Sequence, residues 1–162
     1  MSNALELRVK RINSTYKVKK QAIIQFIATP ITPTAEGFVP GMSTVDFVGC
    51  AGPNGLAIAF DAKETENKTS FPLNNIKPHQ IVYLDYFDMC GGMAFFLVHF
   101  KKVHKDKAYV LPITVLNEFT NKPGQRKSLP LSFFKDEWLV PIDDYLPYAI
   151  LIWKDSTTAL HS

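Results

Sequence analysis

The stretch LAIAFDAKE, residues 56–64, decides the fold of this chain. A β-strand presents successive side chains to opposite faces, so its apolar residues share one face and its Asp61 and Lys63 share the other. The preceding segment, CAGPNG at 50–55, ends in Asn-Gly, a sequence typical of tight hairpin turns. We therefore expect residues 43–49 and 56–64 to form a hairpin, which brings Asp46 beside Asp61.

Two carboxylates at one edge of a sheet repel each other unless a cation joins them, and Mg²⁺ or Mn²⁺ suits such hard oxygen ligands. Lys63 lies on the face of Asp61, where it can stabilise charge on a phosphate or help to deprotonate an attacking water. The set of Asp46, Asp61 and Lys63 thus indicates a metal-dependent phosphodiesterase. The spacing D-x-K alone favours a simpler interpretation, in which Asp61 and Lys63 form a surface ion pair and Asp46 is a solitary acid.

The other segments predict a single mixed α/β domain over residues 1–154, followed by a C-terminal tail at 155–162. Apolar residues at helical spacing near the start predict a helix there, and Pro78 with Gly91-Gly92 predicts a second helix over about 76–90. Strands are expected at 21–28, 43–49, 56–64, 93–100, 108–113 and 148–153, with a short helix from about Thr114. The run at 93–100 is apolar throughout, which is typical of a central strand buried on both faces.

The composition indicates a globular protein. The 162 residues are 46% hydrophobic and 20% charged, values that exclude a disordered or fibrous chain. The longest apolar runs fall far short of the roughly 20 residues that cross a bilayer, and no signal segment opens the chain, so we expect a cytoplasmic protein. Cys50 and Cys90 are too few and too far apart to predict a disulfide scaffold or a zinc site.

The net charge of +3 is unevenly distributed, because residues 7–35 carry six basic residues and no acid. Further basic clusters lie at 101–107 and 122–127. A charge run is most often a solvated surface, but three separate basic patches favour an extended polyanion such as DNA. The candidate DNA contacts are Arg8, Lys10, Arg11, Lys17, Lys68, Arg126 and Lys127.

Longer motifs carry a family resemblance. The segments STVDF at 43–47, FDAKETENKTSFPL at 60–73, HQ at 79–80 and GGMAFF at 91–96 together resemble the RecU-type Holliday junction resolvases of the PD-(D/E)XK nuclease superfamily. The resemblance implies a restriction-endonuclease-like α/β core, with a mixed central sheet flanked by helices, in a homodimer. It also implies Mg²⁺-dependent, symmetrical nicking of four-way DNA junctions, with Mn²⁺ as a substitute for Mg²⁺.

The resemblance assigns roles to matching residues. Asp46 and Asp61 match metal ligands, Lys63 matches the transition-state stabiliser, and Thr44 and Gln80 match further contributors to the metal site. Gln80 could also be an ordinary polar residue of a helix. Glu6 resembles the glutamate of the family's first helix, but a capping box with Asn3 is its leading interpretation.

One departure concerns the way that the chain would recognise its substrate. The family carries a long basic stalk between its first two strands, whereas here only residues 34–42 connect Pro33 to Ser43. Two alternatives to a junction resolvase therefore stay open, namely a nuclease for broader branched or duplex DNA and a non-catalytic DNA-binding recombination module.

Overall fold

The computed structural model describes residues 3–28, 31–40, 44–124 and 126–161, and it describes the side chains of all of these except 31–33, 38–40 and 159–161. The helices are α1 (Ala4–Val18), α2 (Pro78–Met89), α3 (Ile113–Thr120) and α4 (Leu146–His161). The strands are β1 (Ala22–Phe26), β2 (Ile31–Thr34), β3 (Gly37–Pro40), β4 (Phe47–Ala51), β5 (Leu56–Thr65), β6 (Ser70–Pro72), β7 (Met93–Phe100), β8 (Lys107–Pro112), β9 (Ser128–Pro130) and β10 (Leu139–Pro141).

Six strands form the central sheet in the order β1-β4-β5-β7-β8-β10. The pair β5–β7 is parallel and the other pairs are antiparallel. Because α2 lies between β5 and β7 in the chain, it provides the crossover that a parallel pair requires. The predicted fold class, an α/β core with a mixed central sheet flanked by helices, is confirmed.

Each face of the sheet is covered, as expected from the fully buried β7. On one face, α1 and α4 pack against Phe60, Ala62 and their neighbours. On the other face, α2 and α3 pack against Ala59 and its neighbours, together with a two-stranded ribbon formed by β6 and β9. Strand alternation puts Asp61 and Lys63 on the Ala59 side, so these two polar residues of β5 face α2, α3 and the ribbon.

The strand predicted at 148–153 is wrong, because these residues belong to α4. Leu146 and Ala149 are buried whereas Leu151 is 61% exposed, a pattern with helical rather than alternating period. An apolar run of this length suits either element, and its packing against α1 and the sheet decides the outcome. The helix continues through residues 155–161 of the predicted tail.

Two further differences lie near the site. The strand predicted at 43–49 is β4 and covers Phe47–Ala51, so Asp46 directly precedes it. The segment predicted as a plain connection contains the β2–β3 hairpin, while Ser43 lies outside the described residues. Over the part of the chain that the structure describes, no helix is long and apolar enough to span a membrane.

Candidate active site

Asp46 and Asp61 meet at the end of the β4–β5 hairpin. The register pairs Phe47 with Phe60, which puts Asp46 and Asp61 at the next opposed position. The backbone N–H of Asp46 donates to Oδ1 of Asp61 at 2.9 Å, and the Asp46 carbonyl accepts from Ile27 N–H at 2.7 Å. Asp61 is 1% exposed. Asp46 and Asp61 therefore lie side by side, as the hairpin predicts. The backbone of Asp46 is held by hydrogen bonds at both its N–H and its carbonyl.

Lys63 lies two residues further along β5, on the same face as Asp61. Its Nζ lies 3.0 Å from Oδ2 of Asp61, and its side chain is 16% exposed. Glu64 points to the other face and lies 3.7 Å from the ammonium group of Lys101. The ion pair of Asp61 and Lys63 is thus real but largely buried, unlike the surface pair that spacing alone favours.

Burial and neighbouring acidic residues raise the pKa of Asp46. Burial is the largest cause, followed by the charges of Asp61 and Glu6, and together they raise this pKa to about 8. Asn3 caps α1 as expected, because its Oδ1 accepts from Glu6 N–H at 2.8 Å. Glu6 therefore both takes part in the cap and adds negative charge near Asp46. The cap with Asn3, which the sequence favours for Glu6, is therefore present, and it is compatible with a place near the site.

The donor set fits a hard divalent cation. Each oxygen of Asp61 accepts one hydrogen-bonding contact, from Asp46 N–H or from Lys63, and a carboxylate oxygen has a second lone pair available. No cluster of three or more His, Cys, Asp or Glu side chains suited to a metal occurs in residues 3–28, 31–40, 44–124 and 126–161. Mg²⁺ is commonly held by one or two carboxylates with several waters retained, so two aspartates match its needs.

The structure gives Gln80 a different partner from the one that the resemblance implies. Its Oε1 accepts from the backbone N–H of Lys77 at 3.0 Å, and the side chain is 7% exposed. This bond forms half of the capping box of α2. Thr44 is exposed before β4. Neither residue is joined by a hydrogen bond to Asp46 or Asp61 across the described ranges, so both metal roles stay predictions.

The basic residues of α1 lie on the face of the sheet away from Asp61. Arg8 donates to Asp143 and Asp106 at 2.9 and 3.2 Å and to the Lys105 carbonyl at 3.1 Å. The Lys10 ammonium lies 3.6 Å from the centroid of the Phe26 ring. Arg8 is therefore occupied in binding α1 to the β7–β8 turn and to residues 142–144, while Arg11 and Lys17 are exposed.

The other predicted contacts lie on the face of Asp61. Exposed Lys68 precedes β6, and exposed Arg126 and Lys127 precede β9. The two segments are joined by the β6–β9 pairing and by Leu73 N–H, which donates to the Lys127 carbonyl at 3.0 Å. The β6–β9 ribbon, which the sequence pattern does not reveal, therefore unites two basic segments that are about 60 residues apart.

The fold and the site together define a class of protein: an α/β chain whose paired aspartates and lysine are the arrangement expected of a metal-dependent phosphodiesterase. Comparison with known families then identifies it further. The chain belongs to the RecU family, because the family model described as Recombination protein U matches residues 2–152.

Individual relatives agree with this membership. A protein of Limosilactobacillus fermentum named Holliday junction resolvase RecU is 34% identical over 89% of this chain and 76% of its own length. Proteins of the same name from Lactococcus lactis subsp. lactis and Oenococcus oeni are 34% and 32% identical, over 81% and 88% of this chain and 65% and 81% of their own lengths. A solved structure titled as Hjc, a Holliday junction resolvase of Archaeoglobus fulgidus, is similar with a TM-score of 0.48 and 11% identity, over 85% of this chain and 97% of that one.

Proposed function

We propose that this protein is a divalent-metal-dependent endonuclease that nicks four-way DNA junctions in recombination and repair. The observation that carries the proposal is the Asp46, Asp61 and Lys63 set at the end of the β4–β5 hairpin, in a chain of the RecU family. The relatives named above as Holliday junction resolvases support the choice of substrate. A cytoplasmic location is part of the same proposal.

The reaction is hydrolysis of a phosphodiester, in which a water oxygen bonds to phosphorus and the bond to one deoxyribose oxygen breaks. Asp46 and Asp61 would hold Mg²⁺, with Mn²⁺ as a substitute. The bound cation supplies an acidified water and neutralises charge on the phosphate. Asp61 is held in place for this task by the N–H of Asp46 and by Lys63.

Lys63 provides the positive charge of the site. Its largely buried ammonium can bind a non-bridging phosphate oxygen, where negative charge grows in the transition state. A charge–charge contact away from bulk water is stronger than a surface pair, so loss of Lys63 is expected to lower the rate at least roughly 100-fold. The face of Lys63 also bears the β6–β9 ribbon, which would lie alongside the bound DNA.

The test is cleavage of a labelled four-way junction in Mg²⁺, in Mn²⁺ and in chelator. We expect paired nicks with metal, none with chelator, and none with Lys63→Ala. Lys101→Ala is the matched control, since Lys101 pairs with Glu64 of the same strand but on the opposite face. Nicking by Lys63→Ala at the wild-type rate, or nicking in chelator, would disprove the mechanism.

A broader nuclease is the second candidate, favoured by the small size of the β2–β3 hairpin between β1 and β4. A chain without a long projection has fewer contacts with which to distinguish a junction from other DNA. Competition between the junction and a linear duplex of equal length, at one salt concentration, separates the two candidates. Junction binding without cleavage in any metal would instead indicate the non-catalytic recombination module.

We also propose a homodimer, because symmetrical nicks in two strands require two sites related by a two-fold axis. On α2, Val82, Tyr86 and Met89 follow one another at helical spacing and are 51%, 64% and 72% exposed. This exposed apolar stripe is the candidate dimer interface that we test first by substitution. Light scattering of wild type and Tyr86→Lys should give two chains and one chain per particle, whereas a monomeric wild type would contradict the dimer.

A further inference from the structure

A cavity of about 310 Å³ lies between the end of α3 and the start of β9. The residues that line it are Phe119, Thr120, Lys122, Gly124, Arg126 and Lys127. Gly124 has a φ of +99°, a conformation that favours glycine, and it allows the chain to turn back at this point. The turn brings Lys122 and Arg126 to the same cavity although α3 ends at Thr120.

Among the described residues, the lining of this cavity carries three cations and no acid. Within the ranges that the structure describes, the ion pairs use Arg8, Lys63 and Lys101 as their cations, and none uses Lys122, Arg126 or Lys127. Three positive charges around one cavity repel one another unless an anion is bound. The lining thus has the charge of an anion site whose neutralising group comes from outside the chain.

The arginine is oriented by an aromatic ring. The guanidinium carbon of Arg126 lies 5.3 Å from the centroid of the Phe119 ring. A guanidinium beside a ring still has N–H groups available, and they match the paired oxygens of a phosphate. Phe119 is itself held by Phe133, whose ring centroid lies 4.8 Å away. The ring contacts therefore restrain Arg126 before any ligand binds.

A neighbouring cavity provides a contrast. It shares Phe119 and Lys122 with the first but is larger, about 780 Å³, and its lining includes Glu118, Glu137 and Asp155. Those three carboxylates outnumber its two lysines, so it does not suit a polyanion. Of these two cavities, only the one lined by Lys122, Arg126 and Lys127 has an excess of positive charge among its described residues.

The location of the cavity relates it to the candidate active site. The β6–β9 ribbon packs through Phe71 and Leu129 on the face of the sheet to which Asp61 and Lys63 point. Leu73, whose N–H donates to the Lys127 carbonyl, is ten positions after Lys63, so the backbones of Lys63 and Leu73 are at most about 35 Å apart. That limit equals about one turn of a DNA duplex. A duplex arm cut at Asp61 could therefore reach the cavity with one of its own phosphates.

We infer that the cavity lined by Lys122, Arg126 and Lys127 binds a backbone phosphate of the DNA, away from the phosphate that is cut. The inference rests on the proposed function and adds a fixed point for one arm of the substrate. In this chain, Lys122, Arg126 and Lys127 would provide part of the DNA binding that a longer projection between β1 and β4 would otherwise provide. A free phosphate compound would be recognised by the same chemistry, and the experiment separates the two sources.

The test is binding of a fluorescent four-way junction in chelator, where cleavage does not interfere, at several salt concentrations. Each phosphate contact contributes about 0.9 to the slope of log affinity against log salt. The variant Arg126→Ala with Lys127→Ala should lower the slope by about 1 and the affinity at 0.1 M salt by roughly eightfold. Lys135→Ala is the matched control, because this exposed lysine lines the acidic neighbouring cavity, and it should leave both values unchanged.

Three results would overturn the inference. An unchanged slope in the double variant, with normal junction binding by the wild type, rejects the cavity alone. A wild type that binds no junction rejects the proposed function as well. In the third result, inorganic phosphate at constant ionic strength raises the melting temperature of the wild type and not that of the double variant, while both proteins show the same salt slope of DNA binding. That result would assign the cavity to a small phosphate compound.

Discussion

Substitution of Asp46 by asparagine should stabilise the metal-free protein while it abolishes nicking. The pKa of Asp46 is raised from 3.8 to about 8 by burial and by the charges of Asp61 and Glu6. The folded chain therefore binds a proton that the unfolded chain releases, so stability falls as pH rises from about 4 to about 8. The asparagine of the variant would be neutral at every pH, which removes this dependence.

The magnitude follows from the interval between the two pKa values. At pH 7 the pH is about three units above the pKa of Asp46 in the unfolded chain but still below its pKa in the folded chain. Each of these units lowers the free energy of unfolding by about 1.4 kcal/mol, so the ionisable carboxyl destabilises the fold by at most about 4 kcal/mol. For a chain of this size 1 kcal/mol changes the melting temperature by about 2–4 °C. Asp46→Asn should therefore raise it by at most about 8–16 °C at pH 7 and by little at pH 4.5.

The assay is thermal unfolding in chelator from pH 4.5 to pH 8.5, followed by circular dichroism. Asp155→Asn is the matched control, since Asp155 is exposed on α4 and its substitution should give a difference that is small at every pH. A difference between Asp46→Asn and wild type that does not grow with pH would refute the reasoning. Excess Mg²⁺ should then stabilise the wild type and leave Asp46→Asn unchanged.

Three other predictions concern charge. Affinity for Mg²⁺ should rise by up to about tenfold per pH unit until about pH 8, because Asp46 must lose its proton before the metal binds. Calorimetry in two buffers with different ionisation enthalpies should detect the release of about one proton per metal at pH 7. Release of no proton would contradict this prediction. Burial lowers the pKa of His99, whose Nε2 donates to the His104 carbonyl at 2.6 Å. The free energy of unfolding should therefore decrease as the pH is lowered below about 6.5, because the unfolded chain binds the proton more readily. Thermal unfolding of His99→Gln at acidic pH should lack this dependence. Arg8→Ala should destabilise the fold by about 1–2 kcal/mol without changing the salt slope of DNA binding, because Arg8 is engaged with Asp143; a changed slope would restore Arg8 as a DNA contact.

The sequence was sufficient to predict those parts of the structure that depend on residues close together in the chain. The alternation of β5 and the Asn-Gly turn predicted the hairpin, and the hairpin places Asp46 beside Asp61. The sequence was insufficient where partners are distant. Nothing local shows that Arg8 meets Asp143, 135 residues away, or that β6 pairs with β9. Predictions for basic residues are therefore the ones that the structure changes most.

Gln80 illustrates a second limit. Matching motifs place a residue type at a position, but they do not say which of its possible hydrogen bonds it makes. Gln80 is the third residue of α2, where a glutamine can reach back to the unpaired N–H of the residue before the helix. Burial of that side chain requires that its polar atoms be satisfied, and the cap does so for Oε1. A role at the metal would require this bond to break or Nε2 to act instead.

The core beside Asp46 and Asp61 holds the two residues together although the ionisation of Asp46 there is costly. One residue along each strand, Phe47, Phe60 and Phe95 stack across β4, β5 and β7 with centroids 4.9 and 4.6 Å apart. All three rings are fully buried, and burial of such a side chain stabilises a fold by about 1.5–3 kcal/mol. The three rings together exceed the roughly 4 kcal/mol that the Asp46 carboxyl costs at pH 7. The aromatic stack therefore stabilises the register that puts Asp46 beside Asp61, against the cost of ionising Asp46 there. A cation that binds between the two carboxylates would neutralise the charge that appears when Asp46 loses its proton.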